Sequence, residues 1–322
     1  MRRRIVLGGT IAAVAAGVAG WFGLRRLRPA PLPPAAFAAI YADPLPPPDG
    51  PMRVYHLGHS LVGRDMPAML EQLAPPGHGH HSQLGWGATL KAHWGPAADI
   101  GGYDRENAHP RFRPAPEATD SGAYDAVVLT EMVEIRDALR YFDSPLWLAR
   151  WAARARAANP AVRVYLYETW HRLDDPEGWL DRLDTDLDRH WIGGVLRPAL
   201  ARQGVGGPIH LIPAGQAMAR VVRTVEGGGA VPGLARREDL FAREESGAQD
   251  MIHFNDQGAY LVALVHYAVL YHRSPEGLPH ALLRADGTPA DAPSPEAAAL
   301  MQRLVWDVVR TTPLTGVGDM AA

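Results

Sequence analysis

The chain has 322 residues, of which 47% are hydrophobic, and its formal net charge is −3 at pH 7. This length suffices for one large α/β domain or two small ones, and the near-neutral charge with scattered arginines gives no footprint for nucleic-acid binding. The chain contains no cysteine, which excludes a thiol nucleophile, a disulfide framework and a zinc site built from thiolates.

The first 28 residues are predicted to direct the chain to a membrane. An apolar run from Ile5 to Leu24 lies between arginine-rich stretches at positions 2–4 and 25–28. Twenty helical residues rise about 30 Å, which matches the hydrocarbon core of a bilayer. We expect an uncleaved inner-membrane anchor, with a cleaved signal peptide as the alternative. Both predict a location in the cell envelope with the globular part in the periplasm.

Residues 29–51 are rich in proline and predict a linker that is extended and semi-rigid. A globular domain over residues 52–322 follows. Short apolar or β-branched runs predict four buried strands: Met52–Leu57, Ala126–Thr130, Val162–Tyr167 and Ile209–Ile212. Longer stretches predict helices: Pro67–Leu73, Pro145–Ala158, Trp179–Gln203 (largely helical, with Gly193-Gly194 as a candidate break), Ala217–Val225, Ala259–Tyr271 and Pro295–Thr311. This alternation predicts an α/β fold with three layers, in which helices cover both faces of a mainly parallel sheet.

Two short segments contain residue types that form a hydrolytic triad. Asp250 precedes His253 by three residues, in a predicted loop before an apolar helix, so that its carboxylate can orient the imidazole. Ser60 follows the first strand, where a backbone N–H near a helix start can stabilise an oxyanion. Each segment alone has another interpretation, as a helix cap or a turn. Together they indicate a serine hydrolase.

Three segments, taken in order, resemble the sequence blocks of the SGNH/GDSL hydrolase family. Gly58-His59-Ser60-Leu61 is similar to the first block, with His59 where aspartate is usual. Leu84-Gly85-Trp86-Gly87 is similar to the second block, and Asp250-Met251-Ile252-His253 is similar to the last. The resemblance spans roughly residues 52–271 and implies a flavodoxin-like fold of the SGNH type.

The resemblance also implies roles for individual residues. Ser60 would be the nucleophile, His253 the general base and Asp250 the group that orients the imidazole. The backbone N–H groups of Ser60 and Gly87 would form the oxyanion hole, with Gly85 as the alternative to Gly87. This chemistry needs neither a metal nor an organic cofactor.

The third block departs from the family pattern. The family has a Gly-x-Asn-Asp segment after the next core strand, and its asparagine donates a hydrogen bond to the oxyanion. Here Glu131 follows that strand, and an ionised carboxylate cannot donate. We therefore expect Glu131 to be protonated, to face another group, or to serve a different reaction. Thr130 could donate instead.

Further residues of the same rim are candidates for substrate binding: His59, Trp86, Glu131 and Trp170. Tryptophans at positions 86, 94 and 170 could offer flat surfaces to a sugar ring, although core packing is the usual role of a single tryptophan. The cluster His78-x-His80-His81 suggests a metal site. Because a glycine-rich mobile loop would hold ligands poorly, we expect no metal there.

We expect a serine-dependent hydrolase of ester bonds, acting on a small ester or on an O-acylated carbohydrate of the envelope, such as an O-acetylated one. Two alternatives remain open. One is a catalytically weak or inactive membrane-tethered scaffold that binds a glycan or a partner, and the other is an O-acyltransferase with the same triad. A distance above about 4.5 Å between Ser60 Oγ and the nearer His253 ring nitrogen would favour the scaffold. No sequence signal specifies an oligomeric state.

Overall fold

A computed structural model describes residues 30–318 of the chain. Its central sheet has five parallel strands in the order β2-β1-β3-β4-β5: β1 (Arg53–Gly58), β2 (Gly79–Leu84), β3 (Ala126–Thr130), β4 (Arg163–Glu168) and β5 (Ile209–Pro213). This is the strand order of the flavodoxin-like doubly wound sheet. A separate antiparallel hairpin is formed by β6 (Phe241–Arg243) and β7 (Gln249–Phe254).

Helices flank the sheet on both faces. In chain order the α-helices are α1 (Pro34–Ile40), α2 (Asp65–Leu73), α3 (Leu90–Trp94), α4 (Tyr103–Glu106), α5 (Ala115–Asp120), α6 (Ile135–Tyr141), α7 (Ser144–Ala158), α8 (Trp179–Asp186), α9 (Arg197–Leu200), α10 (Ala214–Thr224), α11 (Asp256–Tyr271) and α12 (Pro295–Thr311). One hydrophobic core joins the sheet to α2, α8, α10, α11 and α12. A second core joins its other face to α3, α5, α6, α7 and α9. The predicted three-layer α/β/α fold is confirmed.

The strands are buried along almost their whole length because both faces of the sheet are covered. In β1, Val54 belongs to the first core, whereas Tyr55 and Leu57 belong to the second. Successive side chains of a strand point to opposite faces, so one strand supplies both cores. All four predicted strands are present, and their carboxyl ends meet at one edge of the sheet.

Strand β2 was not predicted from the sequence, and its histidines were expected in a mobile loop. That prediction was wrong, because Gly79–Leu84 pairs in parallel with β1 and the side chains of His78 and His80 are buried. The segment contains mostly polar residues (Gly-His-His-Ser-Gln-Leu), so it lacks the apolar run that marks a buried strand.

The predicted helix Trp179–Gln203 is continuous through Gly193-Gly194 rather than broken there. The chain widens into a π-helix over Leu187–Leu196 and then returns to α-helix. A β-carbon on Gly194 would come within 2.6 Å of a methyl carbon of Leu139. The glycine therefore permits a close approach of this segment to α6.

The proline-rich segment is not the extended spacer that we predicted for residues 29–51. Part of it forms the helix α1, and the Tyr41 hydroxyl donates to the carbonyl of Ile209 at 2.6 Å. The N–H of Leu45 donates to Gly316, and Arg163 donates to the carbonyl of Pro46. These contacts lie where β4 and β5 begin, at the end of the sheet opposite the carboxyl ends of the strands.

The predicted membrane anchor or signal segment, residues 1–28, lies outside the described residues. Within residues 30–318, no helix is both long and apolar enough to cross a membrane.

Candidate active site

Ser60 lies in a tight turn between β1 and α2, at the carboxyl edge of the sheet. The carbonyl of His59 accepts a hydrogen bond from the N–H of Val62 at 2.9 Å, which closes the turn. The Tyr167 hydroxyl donates to the carbonyl of Leu61 at 2.9 Å, which fixes the turn to β4. The Ser60 side chain is partly exposed. Its hydroxyl is therefore held in position while a ligand can still reach it.

The hairpin of β6 and β7 brings the acid and the histidine to this turn. Nε2 of His253 lies 3.0 Å from Oγ of Ser60, and Nδ1 of His253 lies 2.8 Å from Oδ2 of Asp250. Both distances are within hydrogen-bond range. They are well below the separation that would have favoured a scaffold. Asp250 and His253 lie in a strand rather than in the predicted loop, and the Asn255 side chain caps α11 directly after it.

The Asp250 carboxylate is held by backbone donors as well as by the imidazole. Its Oδ1 accepts from the N–H groups of Ile252 and His253, at 2.8 and 2.9 Å. Burial alone would raise the pKa of Asp250, but these hydrogen bonds and the contact with His253 outweigh it and hold the pKa below its usual range. Asp250 is therefore an anionic acceptor for Nδ1–H, which leaves Nε2 of His253 free to accept a proton from Ser60.

Two backbone N–H groups, those of Ser60 and Gly87, are candidates for stabilising an oxyanion. Within residues 30–318, neither the N–H of Ser60 nor that of Gly87 has a hydrogen-bond partner. Gly87 has a positive φ of 55°, and no heavy atom lies within 4 Å of the position of a β-carbon there. The N–H of Gly85 instead donates to the carbonyl of Gly58 at 3.2 Å. The geometry therefore favours Gly87 over Gly85.

Glu131 does not face the Ser60 hydroxyl and is not a substrate contact as predicted. Its carboxylate is fully buried and accepts from the Ser144 hydroxyl at 2.6 Å and from the N–H groups of Leu90 and Met132. Burial raises the pKa of Glu131, while these three hydrogen bonds act in the opposite direction. Of the three outcomes expected for Glu131, the structure thus shows the one in which it faces other groups.

Thr130 does not supply the missing donor either. Its hydroxyl is buried against Gly58, where a β-carbon would lie 2.9 Å from Oγ1. The oxyanion donors that the described residues offer next to Ser60 are therefore backbone N–H groups. Since removal of one oxyanion donor typically lowers kcat about 10²–10³-fold, a site without the asparagine is expected to be slower than one that has it.

Two buried histidines hold the main chain around Ser60, and only one of them was singled out from the sequence. Nε2 of His59 donates to the carbonyl of Glu131 at 2.8 Å, and Nε2 of His93 donates to the carbonyl of Gly58 at 2.8 Å. Carbonyl oxygens only accept, so both rings carry the proton on Nε2. Burial lowers the pKa of each to about 4. His59 is thus a structural support, and its predicted contact with substrate is wrong.

No sequence signal identified the partners of this support. Nδ1 of His93 accepts from the Gln83 amide at 2.9 Å, and Oε1 of Gln83 accepts from the N–H of Ala115 at 2.8 Å. Gln83 lies in β2, the strand that was not predicted from the sequence. Because these contacts join separate elements, spacing along the chain does not reveal them.

Of the tryptophans proposed as sugar surfaces, only Trp86 is exposed. Trp170 is fully buried and donates to the carbonyl of Ile252 at 2.9 Å, so it supports the strand that carries Asp250 and His253. Its predicted contact with substrate is wrong. Trp94 packs edge-on against Trp151, with 4.7 Å between ring centroids. Trp86 is 54% exposed and directly precedes Gly87.

The three histidines at positions 78, 80 and 81 have partners within the protein core and at its edge. Nδ1 of His78 lies 2.6 Å from the Tyr271 hydroxyl, and Nδ1 of His80 lies 3.1 Å from the Glu71 carboxylate. His81 lies edge-on to Tyr124. In the part of the chain that the structure describes, no group of three or more potential ligands is arranged to hold a metal ion.

Comparisons with known proteins add one distant likeness. No protein-family model matches the sequence, and no curated protein matches it. Among solved structures, the chain is similar to a DUF4886 family protein from Bacteroides uniformis ATCC 8492, with a TM-score of 0.48 and 15% sequence identity. The match covers 80% of this chain and 94% of that one. At this level of similarity it carries no argument about function.

Proposed function

We propose that the protein is a serine-dependent carboxylic-ester hydrolase of the SGNH type. The observation that carries this proposal is the 3.0 Å contact between Ser60 Oγ and Nε2 of His253, whose Nδ1 faces Asp250 at 2.8 Å. A hydroxyl, an imidazole and a carboxylate in this order form the arrangement that activates a serine for acyl transfer.

The residues suggest the following course of reaction. Ser60 Oγ attacks the ester carbonyl while Nε2 of His253 takes its proton, and Asp250 stabilises the imidazolium. The N–H groups of Ser60 and Gly87 donate to the oxyanion of the tetrahedral intermediate. His253 then protonates the departing alcohol, and an acyl-Ser60 ester remains. A water molecule activated by His253 hydrolyses that ester and restores the free hydroxyl.

A test compares the full-length protein with its Ser60→Ala variant on a short-chain acetyl ester. We expect Ser60→Ala to lower kcat by about 10⁴-fold or more, because the nucleophile is removed. A fluorophosphonate probe should label Ser60 and should label neither the variant nor a denatured sample. Ser121→Ala is the matched control, because Ser121 is an exposed serine distant from the carboxyl edge of the sheet. Equal turnover by wild type and Ser60→Ala would overturn the proposal.

Glu131 is the observation that favours a second function, a weakly active or inactive scaffold that binds a glycan or a partner. Its carboxylate has replaced the family's asparagine and faces away from Ser60. A folded protein that resists the probe and hydrolyses no acetyl ester would support this alternative.

An O-acyltransferase would use the same three residues, with an alcohol in place of water. Transfer of the acetyl group to an added alcohol, at the expense of free acetate, would distinguish it from a hydrolase.

The envelope location remains a proposal that rests on the sequence of residues 1–28. We expect the full-length protein to sediment with membranes. Recovery of the full-length protein in the soluble fraction, without cleavage, would contradict an anchor.

A further inference from the structure

Trp86 has an exposed ring in the segment that carries Gly87, the candidate oxyanion donor. It lies between Gly85, whose N–H is bonded to Gly58, and Gly87, whose N–H is free within the described part of the chain. Its side chain is 54% exposed, whereas the large apolar side chains of this protein are mostly buried. Single exposed apolar side chains are common on protein surfaces. Trp86 is a candidate for binding because it directly precedes Gly87, the candidate oxyanion donor.

The Trp86 ring is held in one orientation. One face lies against Gly102, where a β-carbon would come within 2.3 Å of the indole and where φ is 67°. The indole N–H donates to Oε1 of Glu106 at 2.9 Å, and the backbone N–H donates to Gly101 at 2.7 Å. Since Gly102 covers one face, the exposed area falls on the other face and on the ring edge. A ring fixed in this way loses little conformational entropy when a ligand stacks on it.

The support of Trp86 is shared with the turn that carries Ser60. Arg64 lies four residues after Ser60, and its Nε donates to the carbonyl of Glu106 at 3.2 Å. The carboxylate of the same glutamate holds the indole of Trp86. Trp86 and the Ser60 turn are therefore both hydrogen-bonded to one helix, α4. This shared support fixes the position of the aromatic ring relative to the candidate nucleophile.

A cavity of about 520 Å³ adjoins the ring and contains both apolar and charged groups. Its volume lies within the range of small-molecule sites. Small apolar residues form one part of its lining, and polar residues of α4 form another: Ala97, Ala98, Tyr103, Asp104 and Arg105. A pyranose ring presents a C–H face to an aromatic ring and hydroxyl groups to charged side chains. An acyl chain would make no use of the exposed side chains of Asp104 and Arg105, which line the cavity and can bond to hydroxyl groups.

We propose that Trp86 and this cavity form a subsite for the pyranose ring of an O-acylated carbohydrate, whose ester group lies at Ser60. This inference rests on the proposed hydrolase function. It assigns Trp86 to recognition of the alcohol part of the substrate, and it assigns no step of the chemistry to it.

The first experiment measures kcat/KM of the full-length protein on two acetyl esters. One is a methyl glucopyranoside with one O-acetyl group, and the other is ethyl acetate, which has no ring to stack. Trp86→Ala should lower kcat/KM on the sugar ester about tenfold, the scale of one aromatic stacking contact, and should change that on ethyl acetate less than twofold. Tyr141→Ala is the matched control, because Tyr141 is 59% exposed at the end of α6. It should change neither value.

The second experiment separates the subsite from the chemistry. The same acetylated glycoside is titrated calorimetrically into Ser60→Ala, which cannot turn it over, and into Ser60→Ala combined with Trp86→Ala. We expect the second replacement to weaken binding at least tenfold. This measurement stands even when the wild type hydrolyses neither ester, an outcome that overturns the hydrolase function but leaves the subsite to be judged by binding.

Several results would overturn the subsite while the hydrolase function survives. One is turnover of ethyl acetate without turnover or binding of the sugar ester. Another is an equal loss on both esters in Trp86→Ala, which would indicate that the loop of Gly87 has moved. A third is binding of the glycoside that is unchanged when Trp86 is removed.

Discussion

At the scale of single residues, Glu131 shows how a change of side-chain chemistry changes what a loop does. An asparagine at this place could donate to an oxyanion, but a carboxylate can only accept unless it is protonated. In this protein the Glu131 carboxylate accepts three hydrogen bonds, from the N–H groups of Leu90 and Met132 and from the hydroxyl of Ser144. Glu131 thus joins the start of α3 to the start of α7, and it supports the candidate site.

We predict that Glu131→Ala destabilises the protein by about 1–3 kcal/mol, because it leaves buried donors without acceptors. Glu131→Gln should stay within about 1 kcal/mol of the wild type. Its amide oxygen can accept from both N–H groups while its NH₂ donates to the Ser144 oxygen, which can also accept. Urea unfolding followed by circular dichroism measures both. An equal loss in the two variants would contradict this account of the hydrogen bonds.

At the scale of elements, a buried ion network fixes the helix α8 to the loops at the carboxyl edge of the sheet. The side chain of Arg182 is 2% exposed and contacts three carboxylates, those of Glu134, Asp175 and Asp186. Burial alone would raise the pKa of Glu134, but hydrogen bonds from Arg136 and Arg182 lower it to about 2. Since Glu134 ends the loop that contains Glu131, the network also positions that part of the rim.

We predict that Arg182→Ala destabilises the protein by about 3–5 kcal/mol, because it removes a buried cation shared by three carboxylates, of which Asp186 is itself buried. Arg172→Ala is the matched control. Arg172 pairs with Asp174 at the surface, where both side chains are more than half exposed. Its loss should have a much smaller effect, because solvent screens an exposed ion pair. Thermal unfolding of the two variants checks this difference. Similar melting temperatures would show that the buried network contributes little.

At the scale of the whole molecule, several histidines are buried in neutral form and make folding depend on pH. His56 and His266 lie between the sheet and α11, with their ring centroids 5.8 Å apart. The His266 ring also packs against the Tyr167 ring, with 4.8 Å between the two centroids. Burial lowers the pKa of His266 from 6.5 to about 4 and that of His56 well below its usual value. The unfolded chain therefore binds protons that the folded chain cannot, so acid favours unfolding.

We predict that the stability contributed by His266 is complete above about pH 6.5 and decreases as the pH falls towards about 4, the folded-state pKa. In this window one such histidine contributes a slope of about 1.4 kcal/mol per pH unit. His266→Leu should reduce the slope of unfolding free energy against pH by about that amount, whatever its effect at neutral pH. Urea unfolding at intervals between these pH values measures the slope. An unchanged slope would show that His266 is not neutral in the fold.

The sequence alone determined the alternation of strands and helices. It also determined the three residues of the candidate triad, Ser60, His253 and Asp250. Apolar runs and short spacings are local properties, and a parallel sheet brings the carboxyl ends of its strands to one edge. The pairing of Ser60 with His253, which are 193 residues apart, could be predicted because three motifs occurred in a known order. Strand β2 could not, because its polar residues carry no apolar pattern.

Only the tertiary structure decided which groups face the site and which support it. It showed that the N–H of Gly85 is occupied and that the N–H of Gly87 has no partner among residues 30–318. It also showed that Glu131 faces Ser144 and that His59 and Trp170 are buried. Burial and hydrogen bonding depend on neighbours from separate elements, and no spacing along the chain encodes them. The residue types are therefore readable from the sequence, while the direction of each side chain is set by the packing of the folded chain.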